Sequence, residues 1–471
     1  MSSWYRLLPF QMDRMQSGHY LCSSIAGDHV ILQRETLCSV IDGTLPREHQ
    51  DAQDLMAGLF LSTDGGHAEV DLLATRLRTR LHERRSLASL HIVVATLRCA
   101  NACGYCQVSR VHPEARGKDL SDDNADRTAD LIMSCPSSRI KVEFQGGEAL
   151  LNMPVVQRIV ERCDAAAAFS GKLVSYVIAT SLSHLTDANL DFFAARQVHI
   201  STSLDGPQWL HDRNRPSPTG SGWLTTVAGI ERCRRRLGHD CVSALMTTAR
   251  TSLAHADAIV DQYQELGFHS IFLRWLNPFG DAVRHRQRLS YTALEWLTFW
   301  QRALDRVLSW NDRGYPMREE FTCLLLRRML SPHPAGFVDL DSPTGSGTSV
   351  LVYNYDGSIY VSDEGRMLAE IGDQTFRLGH VQTHTYAQIM DNPTLRNMVS
   401  ATMLETTPRC DRCACLPWCG VDPVVNHATQ GDIRGCRPTS DHCQRMEGAF
   451  HYVVGLLRGP HRDLLLSWAA G

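Results

Sequence analysis

The stretch LHIVVATLRCANACGYC, residues 90–106, decides how the rest of the chain is understood. Its first part, residues 90–97, is dominated by apolar and β-branched side chains, which predicts a buried strand. Three cysteines follow it directly: Cys99, Cys103 and Cys106. Cysteines so closely spaced in a chain without secretory features are typical of a metal site. The stretch therefore predicts a strand that delivers a three-cysteine loop to one end of a sheet.

The number of cysteines in this loop leaves the nature of the site open. A closed zinc or iron–sulfur site commonly has four protein ligands, one more than the loop provides. With three ligands, one iron of a four-iron cluster stays open to bind a small molecule. The alternatives are a zinc site completed by His91 or His112, and three thiols with no common partner. Spacing alone does not decide between iron and zinc.

Strand-like and helix-like segments alternate from the start of this stretch to residue 276. The strand candidates are residues 90–97, 140–145, 173–179, 198–204, 241–247 and 270–276. Helical periodicity lies between them, for example in residues 153–169 and 255–267. Six such units predict a parallel sheet with right-handed crossovers, which closes most of the way into a partial (β/α)6 TIM-like barrel. Residues that carry chemistry are then expected at the carboxyl ends of the strands.

Composition and charge indicate an ordinary protein of several domains. The 471 residues are too many for one core, the net charge is −4, and the apolar runs are far shorter than a membrane span. We expect a cytoplasmic protein that binds neither nucleic acid nor membrane. Nine of the 16 cysteines fall in two clusters, residues 99–106 and 410–443. The other seven are expected to be buried, inert thiols: Cys22, Cys38, Cys135, Cys163, Cys233, Cys241 and Cys323.

The segments that flank the barrel predict further units. Residues 1–84 combine a hairpin-like stretch with helical periodicity and are expected to form a small N-terminal α+β domain. The barrel core takes residues 85–312, and residues 313–400 hold linker helices and a hairpin with an Asp-Gly turn. Residues 401–471 hold the second cysteine cluster and a closing amphipathic helix. The predicted fold class is therefore α/β, with a cysteine-rich C-terminal extension.

The second predicted strand ends in two glycines and a carboxylate, Gly146, Gly147 and Glu148. Paired glycines allow a close approach of the backbone, and a carboxylate there accepts hydrogen bonds from an ammonium group. In order and spacing, the three-cysteine loop and this GGE stretch resemble the radical S-adenosylmethionine (SAM) superfamily, with Ala149 in place of the usual proline. The stretches IATSLSHL and STSLDGPQWLHDRNRP resemble further parts of its peptide-modifying branch. The resemblance covers most of residues 88–280.

The resemblance implies a cofactor set and a site. Cys99, Cys103 and Cys106 would hold a 4Fe–4S cluster whose open iron binds SAM, and reductive cleavage of SAM would give a 5′-deoxyadenosyl radical. Tyr105 would pack near the adenine, and the loop from Gly146 through Gly147 to Glu148 would bind the methionyl amine. Looser matches imply further SAM contacts at four positions: Thr180, Ser203, Asp205 and Arg215. For the last two, a turn-capping carboxylate and a surface arginine are the alternatives.

The second cysteine cluster contains six thiols between Cys410 and Cys443. Zinc and iron–sulfur are both compatible with the spacing. Placed after a barrel of this type, the segment resembles the SPASM extension, which holds auxiliary iron–sulfur clusters in peptide-modifying enzymes. The resemblance implies one auxiliary 4Fe–4S cluster on Cys410, Cys413, Cys419 and Cys443, with Cys443 preferred over Cys436. Cys415 and Cys436 would then be spare thiols.

Three ligand positions of the first auxiliary cluster of SPASM relatives carry other residues here: Thr344, Ser362 and Asp422. We therefore expect that first auxiliary site to be empty or rebuilt. Asp363 follows one of these positions, at a place where sulfatase-maturing relatives have a catalytic base, and it is a candidate for the same role. The alternative is an exposed carboxylate at the end of the hairpin.

Several stretches, among them YRLLPF, YNYDGSIYVSDEGRM and PWCGVDPVVNHATQGD, resemble the radical SAM maturases (HxsB) of the His-Xaa-Ser peptide system. This implies an oxidoreductase that modifies a ribosomally made precursor peptide. Its partners would be other maturation proteins of the same system and an electron donor such as flavodoxin or ferredoxin. The N-terminal domain would recognise a leader peptide at a sheet edge. The alternatives are a radical modifier of a folded protein or RNA, and a zinc-stabilised scaffold without catalysis.

Overall fold

The computed structural model describes residues 3–63, 67–83, 88–218, 220–333 and 335–470. Its N-terminal part is an α+β unit with two small antiparallel sheets, one pairing β1 with β5 and the other formed by β2, β3 and β4. The strands are β1 Tyr5–Leu7, β2 Phe10–Arg14, β3 Tyr20–Ser24, β4 His29–Leu32 and β5 Leu61–Thr63. The helices are α1 Arg34–Ile41, α2 Ala52–Ala57 and α3 His67–Glu83. The predicted domain boundary at residues 84 and 85 lies outside the described residues.

The central part of the chain forms the predicted parallel sheet. Its strands are β6 Leu90–Thr96, β7 Arg139–Gly146, β8 Leu173–Thr180, β9 His199–Ser203, β10 Val242–Thr247, β11 Ser270–Arg274 and β12 Arg318–Glu319. Neighbouring strands pair in parallel from β6 to β12 in chain order. The first six are the strands expected from the sequence. The edge strand β12 was not predicted, because two residues are too few to give a strand pattern in the sequence.

Helices connect these strands, as the alternating pattern predicts. They are α4 Asp122–Ser134, α5 Met153–Ser170, α6 Asp187–Arg196, α7 Gln208–Asn214, α8 Gly222–Leu237, α9 Ala256–Glu265, α10 Asp281–Arg284, α11 Arg286–Leu289, α12 Ala293–Asp312 and α13 Glu320–Leu330. The start of α12 shows why such segments are helical: Thr292 and Glu295 form a capping box that satisfies free backbone N–H groups at the first turn. Its buried face contains two stacked indoles, Trp296 and Trp300.

The C-terminal part begins with the predicted hairpin, but that hairpin does not stand apart from the barrel. Its strands are β13 Val350–Tyr353, β14 Ser358–Tyr360 and β15 Arg377–His380. β13 pairs in parallel with β6, so the ten-stranded sheet runs from β12 through β6 to β15. The helices are α14 Asp363–Glu370, α15 Tyr386–Met390, α16 Pro393–Ala401, α17 Pro423–Gln430, α18 Asp441–Leu456 and α19 Arg462–Ala470. The hairpin therefore covers the edge of β6 that a six-strand barrel leaves open.

Burial on both faces explains the apolar sequence of β6. Val93 and Ala95 lie in the large core between sheet and helices, whereas Ile92 and Val94 pack on the other face against Val352 of β13. A strand covered on both sides reads as a continuous apolar run, as this one does. The cysteine loop leaves the carboxyl end of this rigid strand.

The N-terminal unit docks on the cysteine-rich C-terminal segment. The indole of Trp418, which is fully buried, donates a hydrogen bond to the carbonyl of Gly27 (3.0 Å) and meets the ring of His29 edge to face. Asp13 of β2 accepts a hydrogen bond from the backbone N–H of Ala414 (2.7 Å). Contacts of this kind join the two ends of the chain through buried polar groups.

The scattered cysteines follow the prediction in part. All sixteen are free thiols, and Cys22, Cys135, Cys163, Cys233 and Cys323 are buried. Cys38 is exposed and Cys241 is half-buried, so the expectation of a buried thiol is wrong for Cys38. The reason is its place on α1, whose core-facing positions are Leu37 and Val40. Across the described residues, none of the helices is both long enough and apolar enough to span a bilayer.

Candidate active site

A cavity of about 550 Å³ opens at the carboxyl ends of the barrel strands. The end residues of four successive strands line it: Gly146 of β7, Thr180 of β8, Ser203 of β9 and Thr247 of β10. Cys99, Cys103 and Cys106 line the same cavity from the loop after β6. The structure thus brings the three predicted cluster ligands together with the glycine edge and three of the four further predicted SAM contacts, Thr180, Ser203 and Arg215. They meet at the end of the barrel where the topology predicts chemistry.

Burial keeps the thiols of Cys99 and Cys103 protonated in the free protein. It raises the pKa of Cys99 to about 12 and that of Cys103 to about 11, and neighbouring negative groups contribute in the same direction. A metal deprotonates such thiols on binding, because the thiolate is the ligand. Their donor chemistry therefore fits an iron–sulfur cluster at this place, with the cavity in front of the loop.

The cysteine loop is fixed from behind by Arg98, a residue that the sequence reasoning did not single out. Its guanidinium donates to the carboxylate of Asp119 (2.7 Å) and to the carbonyls of Pro113 (3.0 Å) and Leu151 (2.9 Å). The hydroxyl of Thr96 donates to the same carboxylate (2.6 Å). An arginine with three acceptors holds the start of the loop in one geometry.

Gly146 and Gly147 lie where two backbones meet. Gly146 has φ +137°, and a Cβ atom there would stand 2.0 Å from the carbonyl oxygen of Thr96. A Cβ on Gly147 would stand 2.4 Å from the carbonyl oxygen of Arg98. The N–H of Gly147 donates a hydrogen bond to the carbonyl oxygen of Thr96 (2.8 Å), which connects this edge to the segment leading into the cysteine loop. The close approach expected of paired glycines is present, and its partner is the chain itself.

Glu148 lies behind the cavity wall rather than on its surface. It is fully buried, and its carboxylate accepts hydrogen bonds from the Thr180 hydroxyl (2.6 Å) and from the Ser181 N–H (2.9 Å) and hydroxyl. The N–H of Leu150 donates to it as well (3.2 Å). With both oxygens in use, this carboxylate positions Thr180 and Ser181, which do line the cavity. Gly146 and Gly147 therefore line the cavity, whereas Glu148 does not.

Tyr105, Asp205 and Arg215 form one hydrogen-bonded group. The phenol of Tyr105 donates to the carboxylate of Asp205 (2.8 Å) and accepts from the guanidinium of Arg215 (2.9 Å). Asp205 is fully buried, and burial raises its pKa against the opposing effect of Arg215. Both alternatives considered above therefore fail: Asp205 does not cap a surface turn, and Arg215 lines the cavity. Three residues predicted separately converge beside the cysteine loop.

The far wall of the cavity is acidic and comes from the C-terminal part. Asp363, the candidate base, lines it with a side chain 14% exposed, so it is not an exposed hairpin-end carboxylate. Its carboxylate pairs with the fully buried Arg366, whose guanidinium also donates to the carbonyl of Val108 in the segment after the cysteines (3.1 Å). Asp363 is therefore committed to an ion pair that ties this wall to the cysteine loop.

Two further carboxyl groups on this wall were missed by the sequence reasoning. Asp339 and Glu364 both line the cavity. Burial raises the pKa of Asp339, and the nearby Glu364 raises it further, while Arg274 opposes the shift. Burial and Asp363 likewise raise the pKa of Glu364. Because their pKa values are raised, these carboxyl groups hold a proton more readily than an ordinary carboxyl group, which suits them to acid–base work beside a substrate.

A second cavity, of about 210 Å³, lies in the cysteine-rich segment. Cys410, Cys413, Cys419 and Cys443 line it, as does Cys415. Burial raises the pKa of Cys419 well above the usual value, and the Cys413, Cys443 and Cys410 thiols raise it further. Cys436 is exposed, and its N–H is bound to the side chain of Gln430 (2.6 Å). The four thiols chosen from the sequence surround one cavity, and their donor set fits an iron–sulfur cluster.

Iron content separates the two candidates for the fourth ligand. We expect Cys443→Ala to remove about four iron atoms per anaerobically reconstituted chain, because a cluster that loses a thiolate is no longer held. The matched change Cys436→Ala should leave the iron content at the wild-type value, since that thiol lies outside the cavity. An iron loss caused by Cys436→Ala and not by Cys443→Ala would reverse the assignment.

Thr344, Ser362 and Asp422, which stand at the three positions without a cysteine, form hydrogen bonds with backbone N–H groups. Thr344 is fully buried, and its hydroxyl accepts from the N–H of Ser346 (3.1 Å). Ser362 caps the N-terminus of α14, and Asp422 caps that of α17 through the N–H groups of Val424 and Val425. Side chains that satisfy buried N–H groups are bound into the fold. Each of the three side chains therefore has a structural role in this chain, and whether the first auxiliary site is empty or rebuilt stays a prediction.

Comparison with known proteins agrees with this geometry. Residues 93–261 match the model of the Radical SAM superfamily. The serine-type anaerobic sulfatase-maturating enzyme of Klebsiella aerogenes is 27% identical over 321 residues, which is 66% of this chain and 74% of that enzyme. An uncharacterised protein of Methanocaldococcus jannaschii is 26% identical over 140 residues, 30% of this chain, and the alignment spans only 46% of its length.

Solved structures share the fold over most of the chain. The structure of anSMEcpe with bound AdoMet superposes with a TM-score of 0.67 at 16% identity, covering 80% of this chain and 100% of that one. The structure of Streptococcus suis SuiB bound to precursor peptide SuiA gives 0.56 at 12% identity, covering 93% and 100%. At such identities the likeness concerns the fold.

Residues 93–261 therefore form a domain of the radical SAM type, and the protein is an enzyme. Its fold is the expected α/β barrel with a small N-terminal α+β unit and a cysteine-rich C-terminal extension. The cofactors of this class, a 4Fe–4S cluster and SAM, are those that the three-cysteine loop and its cavity fit.

Proposed function

We propose that the protein modifies a residue of a ribosomally made precursor peptide, as a member of the His-Xaa-Ser (HxsB) group of radical SAM maturases. The observation that carries the proposal is the 550 Å³ cavity, which joins the cysteine loop to an acidic wall contributed by the C-terminal extension. Space beyond a SAM site, bordered by proton-exchanging groups, suits a peptide side chain. The precursor peptide named in the SuiB structure supports the same substrate class.

The residues divide the work by position. Cys99, Cys103 and Cys106 would hold the cluster, and Tyr105 with Arg215 would border the nucleoside part of SAM. The glycine edge, set by Glu148 from behind, would meet the methionyl amine. When bound there, the cluster and SAM would supply one-electron chemistry suited to the abstraction of a hydrogen atom from the substrate. Asp339 and Glu364 stand where a proton released by the substrate is accepted, and the Asp363–Arg366 ion pair fixes their wall.

The second cavity supports an auxiliary cluster on Cys410, Cys413, Cys419 and Cys443. An auxiliary cluster held there would supply a redox centre for electron exchange with an external carrier such as flavodoxin or ferredoxin. We further assign leader-peptide recognition to the N-terminal unit. In the described part of the chain, β2 and β4 each pair on one side only, so each offers an edge to which an extended peptide adds as a strand.

Mass spectrometry of a coexpressed peptide tests the proposal. We expect a small peptide encoded beside this gene to change mass when coexpressed with the protein, and to keep its encoded mass with Cys103→Ala. Cys163→Ala, which alters a buried thiol of α5, serves as the control and should retain the modification. If the coexpressed peptide keeps its encoded mass although the protein still cleaves SAM, the result would contradict the peptide proposal and favour a folded protein as substrate.

A further inference from the structure

A group of metal-binding side chains lies at the junction between the N-terminal unit and the closing helix. Asp13 of β2 meets Glu447 and His451 of α18, and one ligand atom from each lies within 4.8 Å of the others. All three side chains are partly buried. Asp13 and Glu447 also line the second cavity, but none of the three residues is among the cysteines assigned to the auxiliary cluster.

Local geometry holds the three side chains in place. Glu447 and His451 are four residues apart in α18, which puts them on the same face of the helix, one turn apart. The N–H of Ala414 donates to Oδ2 of Asp13 (2.7 Å), which fixes the carboxylate and leaves Oδ1 available. Two ligands come from one rigid helix and the third from a strand of another unit.

Among the described residues, the imidazole of His451 lacks a hydrogen-bond partner on one nitrogen, and the two carboxylates lack a cationic partner. Nε2 of His451 is buried without a hydrogen-bond partner. In the described part of the chain, neither Asp13 nor Glu447 has an ion pair with a lysine, arginine or histidine. Burial lowers the pKa of His451 although both carboxylates oppose the shift, so the imidazole is neutral at neutral pH. Two carboxylates beside a neutral imidazole suit a bound cation.

We propose that Asp13, Glu447 and His451 bind one divalent transition-metal cation. Two carboxylate oxygens and one imidazole nitrogen are ligands that Zn²⁺, Mn²⁺ and Fe²⁺ accept, with water completing the coordination. The same carboxylate also lies within 4.8 Å of the Cys413 and Cys415 thiols, but Cys413 is already assigned to the auxiliary cluster. The cation joins the N-terminal unit to the helix that carries Cys443, and so stabilises the wall of the auxiliary cavity.

Manganese is the probe that isolates this site. Mn²⁺ prefers oxygen and nitrogen donors to thiolates, so it does not compete for the cysteines. Protein with its iron–sulfur clusters reconstituted anaerobically is titrated with MnCl₂, and free Mn²⁺ is followed by electron paramagnetic resonance. We expect one bound Mn²⁺ per chain, and a Kd raised at least roughly tenfold in His451→Ala and in Glu447→Gln. Glu161→Gln, at an exposed carboxylate of α5, should bind as the wild type does.

Thermal unfolding of the same holoproteins gives a second readout. Because a ligand of the folded state stabilises it by mass action, Mn²⁺ should raise the Tm of the wild type and of Glu161→Gln but not of Glu447→Gln. Glu447→Gln keeps the shape of the side chain, so it remains informative if His451→Ala misfolds and loses iron. Wild-type protein that binds no Mn²⁺, or variants that bind it as tightly as the wild type, would overturn the proposal. Neither result affects the proposed peptide chemistry, which is read from SAM cleavage and peptide mass.

Discussion

Replacing Cys99, Cys103 and Cys106 together by alanine is expected to abolish the release of 5′-deoxyadenosine from SAM and to remove about four iron atoms per chain. The three thiols line the cavity from a single loop, so the triple variant removes every cysteine donor of that loop. Iron bound in the second cavity should remain, because its cysteines lie in a separate part of the fold. Iron analysis and chromatography of the reaction products measure both effects.

The control for this experiment is Cys163→Ala, which removes a buried thiol of α5 and leaves both cavities intact. It should reconstitute the full iron content and cleave SAM at the wild-type rate. Undiminished 5′-deoxyadenosine release by the triple variant would show that the cofactor is held elsewhere in the protein.

Gly147→Ala should strongly damage both the fold around the cysteine loop and the binding of the cofactors. The new Cβ would stand 2.4 Å from the carbonyl oxygen of Arg98 and 2.6 Å from that of Leu97, both of which are backbone atoms that cannot rotate away. The strand end would move away from the segment that carries Cys99. We expect a loss of roughly 3 kcal/mol in the free energy of unfolding, with weak SAM binding and low iron content. Thermal unfolding and equilibrium dialysis with SAM give these quantities.

Gly104→Ala is the matched control, since it adds the same methyl group within the cysteine loop. A Cβ at Gly104 meets no atom within 4 Å, and the residue does not have the positive φ that favours glycine. Its stability and iron content should equal those of the wild type. If the two variants behaved alike, the close contact at Gly147 would not be what fixes the cluster loop.

The sequence allowed the barrel to be predicted because its elements are determined locally. The apolar run of β6 and the regular alternation of strand and helix patterns predict the topology, and neither depends on contacts between distant parts of the chain. Topology then places the cysteine loop, the glycine edge, Thr180 and Ser203 at one end of the sheet. Those residues meet at the cavity because each follows a parallel strand.

The rest of the site depends on contacts between distant parts of the chain. Asp363 was singled out by its place after the hairpin, but its ion pair with Arg366 and the link from there to Val108 appear only in three dimensions. Asp339 and Glu364 are ordinary acidic residues in the sequence, and the shared burial that raises their pKa values arises when the C-terminal part closes over the barrel. No local pattern records such proximity.

Glu148 was identified from the sequence, but its contacts in the structure differ from the predicted ones. The spacing of the GGE stretch predicted a carboxylate facing an amine. The structure shows that its oxygens are already occupied by Thr180 and Ser181, which lie more than 30 residues further along the chain. Likewise, the pairing of β13 with β6 joins segments that are some 260 residues apart. Sequence motifs identified many residues of the site, whereas the contacts that decide the role of each residue depend on the fold.

Isotope transfer from the peptide tests the central claim most directly. A precursor peptide made from deuterated amino acids is incubated anaerobically with the reconstituted protein, SAM and a strong reductant, and the 5′-deoxyadenosine is analysed by mass spectrometry. We expect 5′-deoxyadenosine that carries deuterium, formed together with a modified peptide. Unlabelled 5′-deoxyadenosine beside an unmodified peptide would contradict the account.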